Sequence, residues 1–408
     1  MNILYIDHYA GSMSMGMEFR PYYMAKEWLA MGHNVRIIGA SISHLRKKQP
    51  KVKHDFEIQL IDGIEYQWIC TGSYKGNGFK RAITMLVFIS KLWCHAKKIA
   101  NDFKPEIVIT SSTYPLDSYA GYRIAKISRA KYIHEGHDLW PLTLTEIGGM
   151  SKWNPFIMLL EHGQHYAYSH AYKVISILPM ACEHMLKHGL TCKENFIYIP
   201  NGIVIEDWEK TQNLPYEHTK LLQELKKQGK FIVMYVGGHA ISNSLDVLLD
   251  AADLTKRDNS IAYVLIGNGT EKERLIALTL ERGLNNVKLL PPVDKLSVPT
   301  ALHNADALYI GAKSTSLYRF GVSMNKIYDY MMAAKPIIYG VDAANNDISE
   351  AECGITIKPD SPEAIVDAIK MIQYMSETER KDLGDKGRKW VIENCSYINL
   401  AKKFLNFI

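Results

Sequence analysis

Phe231-Ile-Val-Met-Tyr-Val-Gly-Gly-His239 is the stretch whose reading decides the fold. Six apolar residues in a row, three of them β-branched, predict a strand buried on both faces. The glycine pair that ends it predicts a tight turn through which backbone N–H groups approach a ligand closely. Leu245–Leu254 then shows helical apolar spacing, and the alternation continues: a strand at Ala262–Ile266, the turn Gly267-Asn268-Gly269, a helix, and strands at Val287–Leu290, Ala307–Ile310 and Pro336–Tyr339. The same strand, glycine loop and helix occur at the start of the chain. Residues 2–7 (NILYID) read as a strand, Gly11 and Gly16 mark the loop, and a helix runs from Pro21 to Met31 before the strand Val35–Gly39. Glu106–Thr110, Lys131–His134, Lys173–Ile177 and Asn195–Ile199 supply further strands. Strands alternating with helices predict parallel sheets in a doubly wound α/β fold. The β–Gly–α start appears twice, so two Rossmann-like domains are expected: residues 1–205 and residues 206–395, joined near the turn Pro200-Asn201-Gly202, with a helix over 396–408 packing back on the first.

Composition narrows the function classes. The chain has 408 residues and a net charge of +5, but residues 1–205 hold 23 Lys/Arg against 16 Asp/Glu, and the remainder 25 against 27. The excess lies in the first 104 residues, with 15 basic against 8 acidic. A basic first half suits an anionic surface. The stretch from Leu45 to Lys104 sets Arg46-Lys47-Lys48, Lys51, Lys53 and Lys80-Arg81 around the apolar run Ile83–Trp93, which suits the surface of an anionic membrane; a solvated face beside an ordinary core helix is the alternative. No nucleic-acid-binding module is visible. Six scattered cysteines form no C-x-x-C pair, which predicts reduced thiols and no structural zinc. A first strand that opens the chain without a basic leader predicts a cytoplasmic protein, and no apolar run is long enough to span a bilayer.

Three segments carry candidate chemistry. In the first, Gly237 and Gly238 follow the strand Phe231–Val236 and suit a phosphate at a helix N-terminus; a plain tight turn is the alternative. In the second, Arg319-Phe-Gly321-Val-Ser323-Met324-Asn325-Lys326-Ile-Tyr-Asp329 starts a helix whose free N–H groups can face a diphosphate. Lys326 adds a point charge there, and Asp329, one turn on, can accept hydrogen bonds from a ribose diol. An N-capped helix with surface charges is the alternative. In the third, His134-Glu-Gly-His137-Asp138 follows a strand, and a His beside an Asp can orient a sugar or stabilise developing phosphate charge. His162, His165 and His170 follow, but the spacing matches no metal template, so no metal is expected.

Taken in order, these segments resemble the family-4 retaining glycosyltransferases of the GT-B fold. The likeness runs through YVGGHAISNSLDVLLDAA, LIGNGTEKERL, NVKLLPPVDKLSVPTALHNADALYIG and Tyr318–Pro336, with IPNGI between the domains and HDLWP in the first. DGIEYQWICTGSYKGNGFKR and HDLWP resemble the bacterial group that includes O-antigen N-acetyl-L-fucosamine transferases. The resemblance implies an active site in an interdomain cleft and a UDP-sugar as substrate, with no cofactor. Gly237, Gly238, Ser323, Met324, Asn325 and Lys326 would line the diphosphate, Asp329 the ribose, and Gly11 and Gly16 a loop at the cleft. His137 and Asp138 would act at the donor sugar. The acceptor implied is a polyprenyl-diphosphate-linked saccharide at the inner face of the membrane. Two positions depart from the family pattern: Gly321 stands where the first of two glutamates is usual, and Asn243 where a basic residue is. Arg319, Lys313 and Lys326 are the candidates to replace that charge.

Two other readings compete. An NAD-dependent epimerase or oxidoreductase needs G-x-G-x-x-G after the first strand and an acid ending the second; Gly11-Ser-Met-Ser-Met-Gly16 and Ile38-Gly39-Ala40 provide neither. A non-catalytic sugar-nucleotide binder is consistent with Gly321.

Overall fold

A computed structural model describes residues 1–16, 19–74, 76 and 78–408. Lys75 and Asn77, within the stretch read as resembling the fucosamine transferase group, lie outside the described residues. The chain forms two compact units, Met1–Asn201 with Tyr397–Ile408, and Gly202–Ser396.

The first unit is built on eight strands: β1 (Asn2–Ile6), β2 (Asn34–Ala40), β3 (Glu57–Ile61), β4 (Ile64–Ile69), β5 (Ile107–Thr110), β6 (Lys131–Gly136), β7 (Lys173–Ser176) and β8 (Phe196–Tyr198). Their order in the sheet is β3-β4-β2-β1-β5-β6-β7-β8, so the winding reverses between β1 and β5. All neighbours pair in parallel except β3 with β4. That antiparallel hairpin corrects the expectation of purely parallel sheets. Its turn is Asp62-Gly63, with φ of +50° and +85°. An Asp-Gly pair adopts this left-handed two-residue turn readily, and it is a strong short-range hairpin signal. The helix Tyr397–Asn406 lies on the helix Phe19–Ala30: the Trp28 indole donates to the Ala401 carbonyl at 3.2 Å and meets the Phe404 ring at 4.9 Å.

The second unit holds β9 (Phe231–Val236), β10 (Ile261–Ile266), β11 (Val287–Leu290), β12 (Ala307–Gly311), β13 (Ile337–Gly340) and β14 (Gly354–Thr356), in the order β11-β10-β9-β12-β13-β14 and all parallel. The residues of β9 alternate between two cores. Ile232, Met234 and Val236 join one hydrophobic cluster, and Phe231, Val233 and Tyr235 join the other. A strand covered on both faces by helices has no solvent side to hold polar residues, which explains the unbroken apolar run. In both units the winding reverses at the first strand, beside β1 and beside β9. In open α/β sheets ligands bind at the carboxyl ends of strands at such a point.

Candidate functional site

In the second unit the predicted residues gather at the carboxyl end of β9. The Tyr235 hydroxyl donates to the Gly238 carbonyl at 2.8 Å, and the Asn243 amide donates to the same oxygen at 2.8 Å. The turn is therefore braced from two sides. It is also tightly backed: a Cβ on Gly267 would lie 1.9 Å from the Gly237 carbonyl oxygen, so the close approach of the two loops requires glycine there. A Cβ on Gly238 would meet nothing within 4 Å, which leaves that face of the turn open.

Lys326 reaches this turn from the helix Asn325–Met332. Its ammonium donates to the Asn243 side-chain oxygen and to the Tyr235 hydroxyl at 3.3 Å, and it lies 5.1 Å from the Tyr235 ring centre. Among the described residues no carboxylate pairs with it. Burial alone pushes its pKa down from 10.5 to about 8. The helix is fixed in place by Tyr330, whose hydroxyl donates to the Val236 carbonyl at 3.0 Å and accepts from the Val236 amide at 2.6 Å. Met324 stands at the N-cap position and no side chain caps the helix.

The other residues predicted here are placed differently. Ser323 is buried and its hydroxyl bonds the Tyr328 hydroxyl at 2.9 Å, one helical turn on, rather than pointing out from the helix start. Gly321 takes φ of +97°, and the loop behind it is held by Asn345, which accepts from the Val322 amide at 2.7 Å and donates to its carbonyl at 3.0 Å. Asn325 is exposed. Asp329 receives Lys295 on both carboxylate oxygens at 2.8 Å. Arg319 is exposed, with its guanidinium donating to the Ser316 carbonyl at 2.6 Å and lying 4.4 Å from the Phe320 ring centre. Lys313 lines a cavity of about 300 Å³ with Ile241, Ser244, Asp246, Arg274 and Asp360. Of the three basic candidates, Lys326 is the one whose ammonium bonds Asn243 and Tyr235, the residues that brace the glycine turn.

In the first unit, β6 ends at Gly136 and delivers His137. Its Nε2 lies 2.9 Å from the Ser111 hydroxyl, which follows β5, and 3.2 Å from Glu135. Glu135 is fully buried and is the centre of a network that the residue pattern did not flag. One of its oxygens accepts from Arg20 Nε at 3.0 Å and Nη2 at 2.9 Å; the other accepts from Tyr5, from Ser111 at 2.7 Å and from His137. Burial would raise this carboxyl, but the Arg20 guanidinium, with His137 and Tyr5 as donors, holds it well below the usual carboxylate range. Arg20 also donates to the carbonyls of Ile199, at 3.0 Å, and Pro200. Asp138 has a local role: one oxygen accepts from the Leu139 amide at 2.9 Å and the Thr143 hydroxyl at 2.6 Å, which closes the turn before the helix Leu142–Glu146. Gly11 accepts the Tyr66 hydroxyl at 2.6 Å on its carbonyl, and Gly16, at φ +68°, sits against the Lys47 side chain. Among the described residues no group of three or more His, Cys, Asp or Glu is placed to hold a metal, and no helix is long and apolar enough to cross a membrane.

In the first unit an imidazole is fixed over a buried carboxylate, and in the second an ammonium stands at a glycine turn. Known proteins share this scaffold. Residues 15–207 match the family described as Glycosyltransferase Family 4, and residues 218–390 match Glycosyl transferases group 1. A putative colanic acid biosynthesis glycosyl transferase of Escherichia coli K12, WcaI, is 24% identical over 219 residues. That alignment takes in 53% of this chain and 52% of the relative, so the chain spans about half the length of the curated relative it matches. The fold is shared with HepE of Anabaena, solved with UDP and glucose (TM-score 0.65, 14% identity, 99% of this chain and 98% of that one). It is shared with sucrose-phosphate synthase of Thermosynechococcus elongatus (0.72, 15%, 99% and 97%) and with WaaG, a glycosyltransferase of lipopolysaccharide biosynthesis (0.67, 13%, 100% and 99%). With one glycosyltransferase family covering each half of the chain, the protein belongs to the family-4 glycosyltransferases of the GT-B fold.

Proposed function

We propose that the protein transfers a sugar from a UDP-sugar to a lipid-linked saccharide in the synthesis of a bacterial surface polysaccharide, with retention at the anomeric carbon and without a metal. The observation that carries this reading is Lys326: a desolvated ammonium with no carboxylate, held at an open glycine turn by Asn243 and Tyr235. A buried cation without a counter-ion is costly, and a diphosphate offsets that cost. The UDP held by HepE, the colanic acid relative and the lipopolysaccharide role of WaaG support the same reading. The bond from the anomeric carbon to the diphosphate breaks, the acceptor hydroxyl oxygen bonds that carbon on the same face, and its proton passes to the departing phosphate. The protein positions the reactants and stabilises charge. Lys326 and the helix start at Asn325 meet the diphosphate, Asp329 shares the ribose with Lys295, and His137, oriented by Glu135 and Ser111, meets the donor sugar. The sugar proposed is an N-acetylated deoxyhexosamine such as N-acetyl-L-fucosamine, on the resemblance of DGIEYQWICTGSYKGNGFKR and HDLWP.

Peripheral contact with an anionic membrane is proposed from the first unit. Phe79 and Trp153 are 81% and 85% exposed, and Ile83, Leu86, Ile147 and Met158 are exposed as well. These residues flank a cluster in which Met85 and Ile89 of the helix Phe79–Phe103 pack with Leu144, Phe156 and Leu160. Lys80 and Lys152 stand beside them in sequence. Apolar side chains ringed by lysines insert at a headgroup boundary.

The deciding experiment incubates the protein with labelled UDP-sugars and a short-chain lipid-linked acceptor, and reads the anomeric configuration of the product by NMR. An α-linked donor giving an α-linked product, with full turnover in chelator, supports the reading. Binding of donor without turnover of any of them supports a non-catalytic binder instead.

A further inference from the structure

The basic stretch of the first unit does not form one solvated face. Arg46, placed by the sequence in a run of surface charge, is 5% exposed. Its guanidinium lies 5.1 Å from the Trp68 ring centre and donates to the Ala40 carbonyl, while Nε and Nη1 are buried without a hydrogen-bond partner. Arg81, half-buried near the start of the helix Phe79–Phe103, donates Nε to the Tyr9 hydroxyl at 3.0 Å. It lies 5.1 Å from the Tyr9 ring centre and 5.8 Å from that of Trp140. His44 is exposed; its Nδ1 lies 2.9 Å from the Tyr74 hydroxyl and its ring meets Tyr9 edge-on at 5.5 Å. These residues follow the carboxyl ends of β1, β2, β4 and β6, beside the point where the winding reverses.

The electrostatics of this corner are one-sided. Burial, and after it the charges of Arg46, Arg81 and His44, hold the buried His8 neutral at its centre, well below the usual histidine range. Among the described residues neither Arg46 nor His44 forms an ion pair with a carboxylate. The charge of Asp7 acts on Arg46, and one Asp7 oxygen accepts the Tyr9 amide at 2.9 Å. A guanidinium kept dry and unpaired is expensive, and sites that retain one at the mouth of a parallel sheet are suited to an incoming anion. The aromatic walls add a surface on which a sugar ring or an allylic chain can lie.

We propose that Arg81 and His44, backed by Arg46 and walled by Tyr9, Tyr74 and Trp140, form an anion site that takes the diphosphate of the lipid-linked acceptor. This rests on the acceptor class proposed above and is separate from the donor residues around Lys326. Arg81 and His44 reach the surface and contact the anion; Arg46 contributes its field from beneath the aromatic layer.

The test titrates farnesyl diphosphate, inorganic pyrophosphate and farnesol into the full chain by calorimetry, using the wild type, Lys326→Ala, Arg81→Gln and His44→Gln, each checked for an unchanged melting temperature. Lys326→Ala removes the charge at the donor turn, so any diphosphate binding that survives in it belongs elsewhere. The expected result is that farnesyl diphosphate and pyrophosphate still bind Lys326→Ala. Both should weaken at least tenfold in Arg81→Gln, less in His44→Gln, and farnesol should not bind. Binding unchanged in Arg81→Gln and His44→Gln, binding lost in Lys326→Ala alone, or no binding of either diphosphate overturns the site. UDP titrated into the wild type separates the two failures: UDP binding without farnesyl diphosphate binding there overturns this site and leaves the donor reading standing. Farnesyl diphosphate binding without UDP binding does the reverse.

Discussion

A buried and a half-buried charge centre carry the chemistry proposed here, and they are built on opposite plans. Glu135 in the first unit is saturated: Arg20 bonds it twice, and Tyr5, Ser111 and His137 take its second oxygen. Lys326 in the second unit is left open, with only the neutral Asn243 and Tyr235 as partners among the described residues. A saturated centre holds geometry, since removing any member strands a charge in low dielectric. An open centre stores binding energy, since its cost is relieved only when an anion arrives. A transferase needs both, one to fix the group that meets the sugar and one to hold the leaving group.

The sharpest way to break the comparison is to unbalance the saturated centre. Arg20→Ala leaves Glu135 buried with no cation, and removing one partner of a buried pair costs about 3–5 kcal/mol. Chemical denaturation should show that loss in the first unit, and Arg20→Lys should recover only part of it, because a lysine cannot bond Glu135 and the Ile199 and Pro200 carbonyls with one planar fork. A loss below about 1 kcal/mol would place the pair among surface-like bridges and remove Glu135 as the support of His137. The open centre predicts the opposite signature. Lys326→Ala should lower kcat/KM by a factor of about 10²–10³, the scale of one lost transition-state contact, while the melting temperature holds or rises. A parallel drop in stability would show that Lys326 is structural.

The contrast also separates what could be read from the sequence from what could not. The β9 run and its glycines announced a strand covered on both faces and a close-approach turn, because burial and backbone geometry act on neighbours in sequence. Lys326 was legible for the same reason: it lies on the first turn of a helix whose start a polar loop marks. Glu135 was hidden in plain sight, two residues before His137, because its meaning depends on Arg20, 115 residues away, and on Ser111. The hydrogen-bond partner of Ser323 was not legible either. A serine before a helix usually caps it, but here Tyr328, one turn on, takes the hydroxyl. The hairpin β3–β4 was missed although Asp62-Gly63 signals it, since an edge strand with alternating exposure offers no long apolar run. Arg46 could not be told from its solvated neighbours Lys47 and Lys48 without knowing that Trp68 covers it.

pH sharpens the open centre further. The folded-state pKa of Lys326 is about 8, below its ordinary 10.5, because burial disfavours the ammonium. Between these two values the unfolded chain binds more protons than the folded one, so this lysine makes the free protein more stable as pH rises from 8 towards 10.5. Ligand binding runs the other way. UDP requires the charged form, so its affinity should fall above pH 8, by at most about tenfold per pH unit for one coupled proton. Titration of UDP at pH 7, 8 and 9 checks this against Lys326→Arg, whose guanidinium stays charged and whose profile should be flat. An affinity that does not change with pH in the wild type would mean that the diphosphate sits away from Lys326.

The smallest expected effect belongs to Lys295. Its pair with Asp329 is partly exposed, the lysine at 33% and the carboxylate at 14%, so breaking it should cost no more than about 1 kcal/mol of stability. The informative readout is the donor. If Asp329 meets the ribose, Lys295 competes with the diol for the same two oxygens while also orienting them. Lys295→Ala should then shift the KM for the UDP-sugar and leave kcat near its original value, because the ribose interaction is the same before and at the transition state. Lys295→Met, which keeps the aliphatic stem, should match it, since the effect is one of charge. A change confined to kcat would instead assign Asp329 to the reacting end of the donor. It would move the proposed ribose contact off the helix Asn325–Met332.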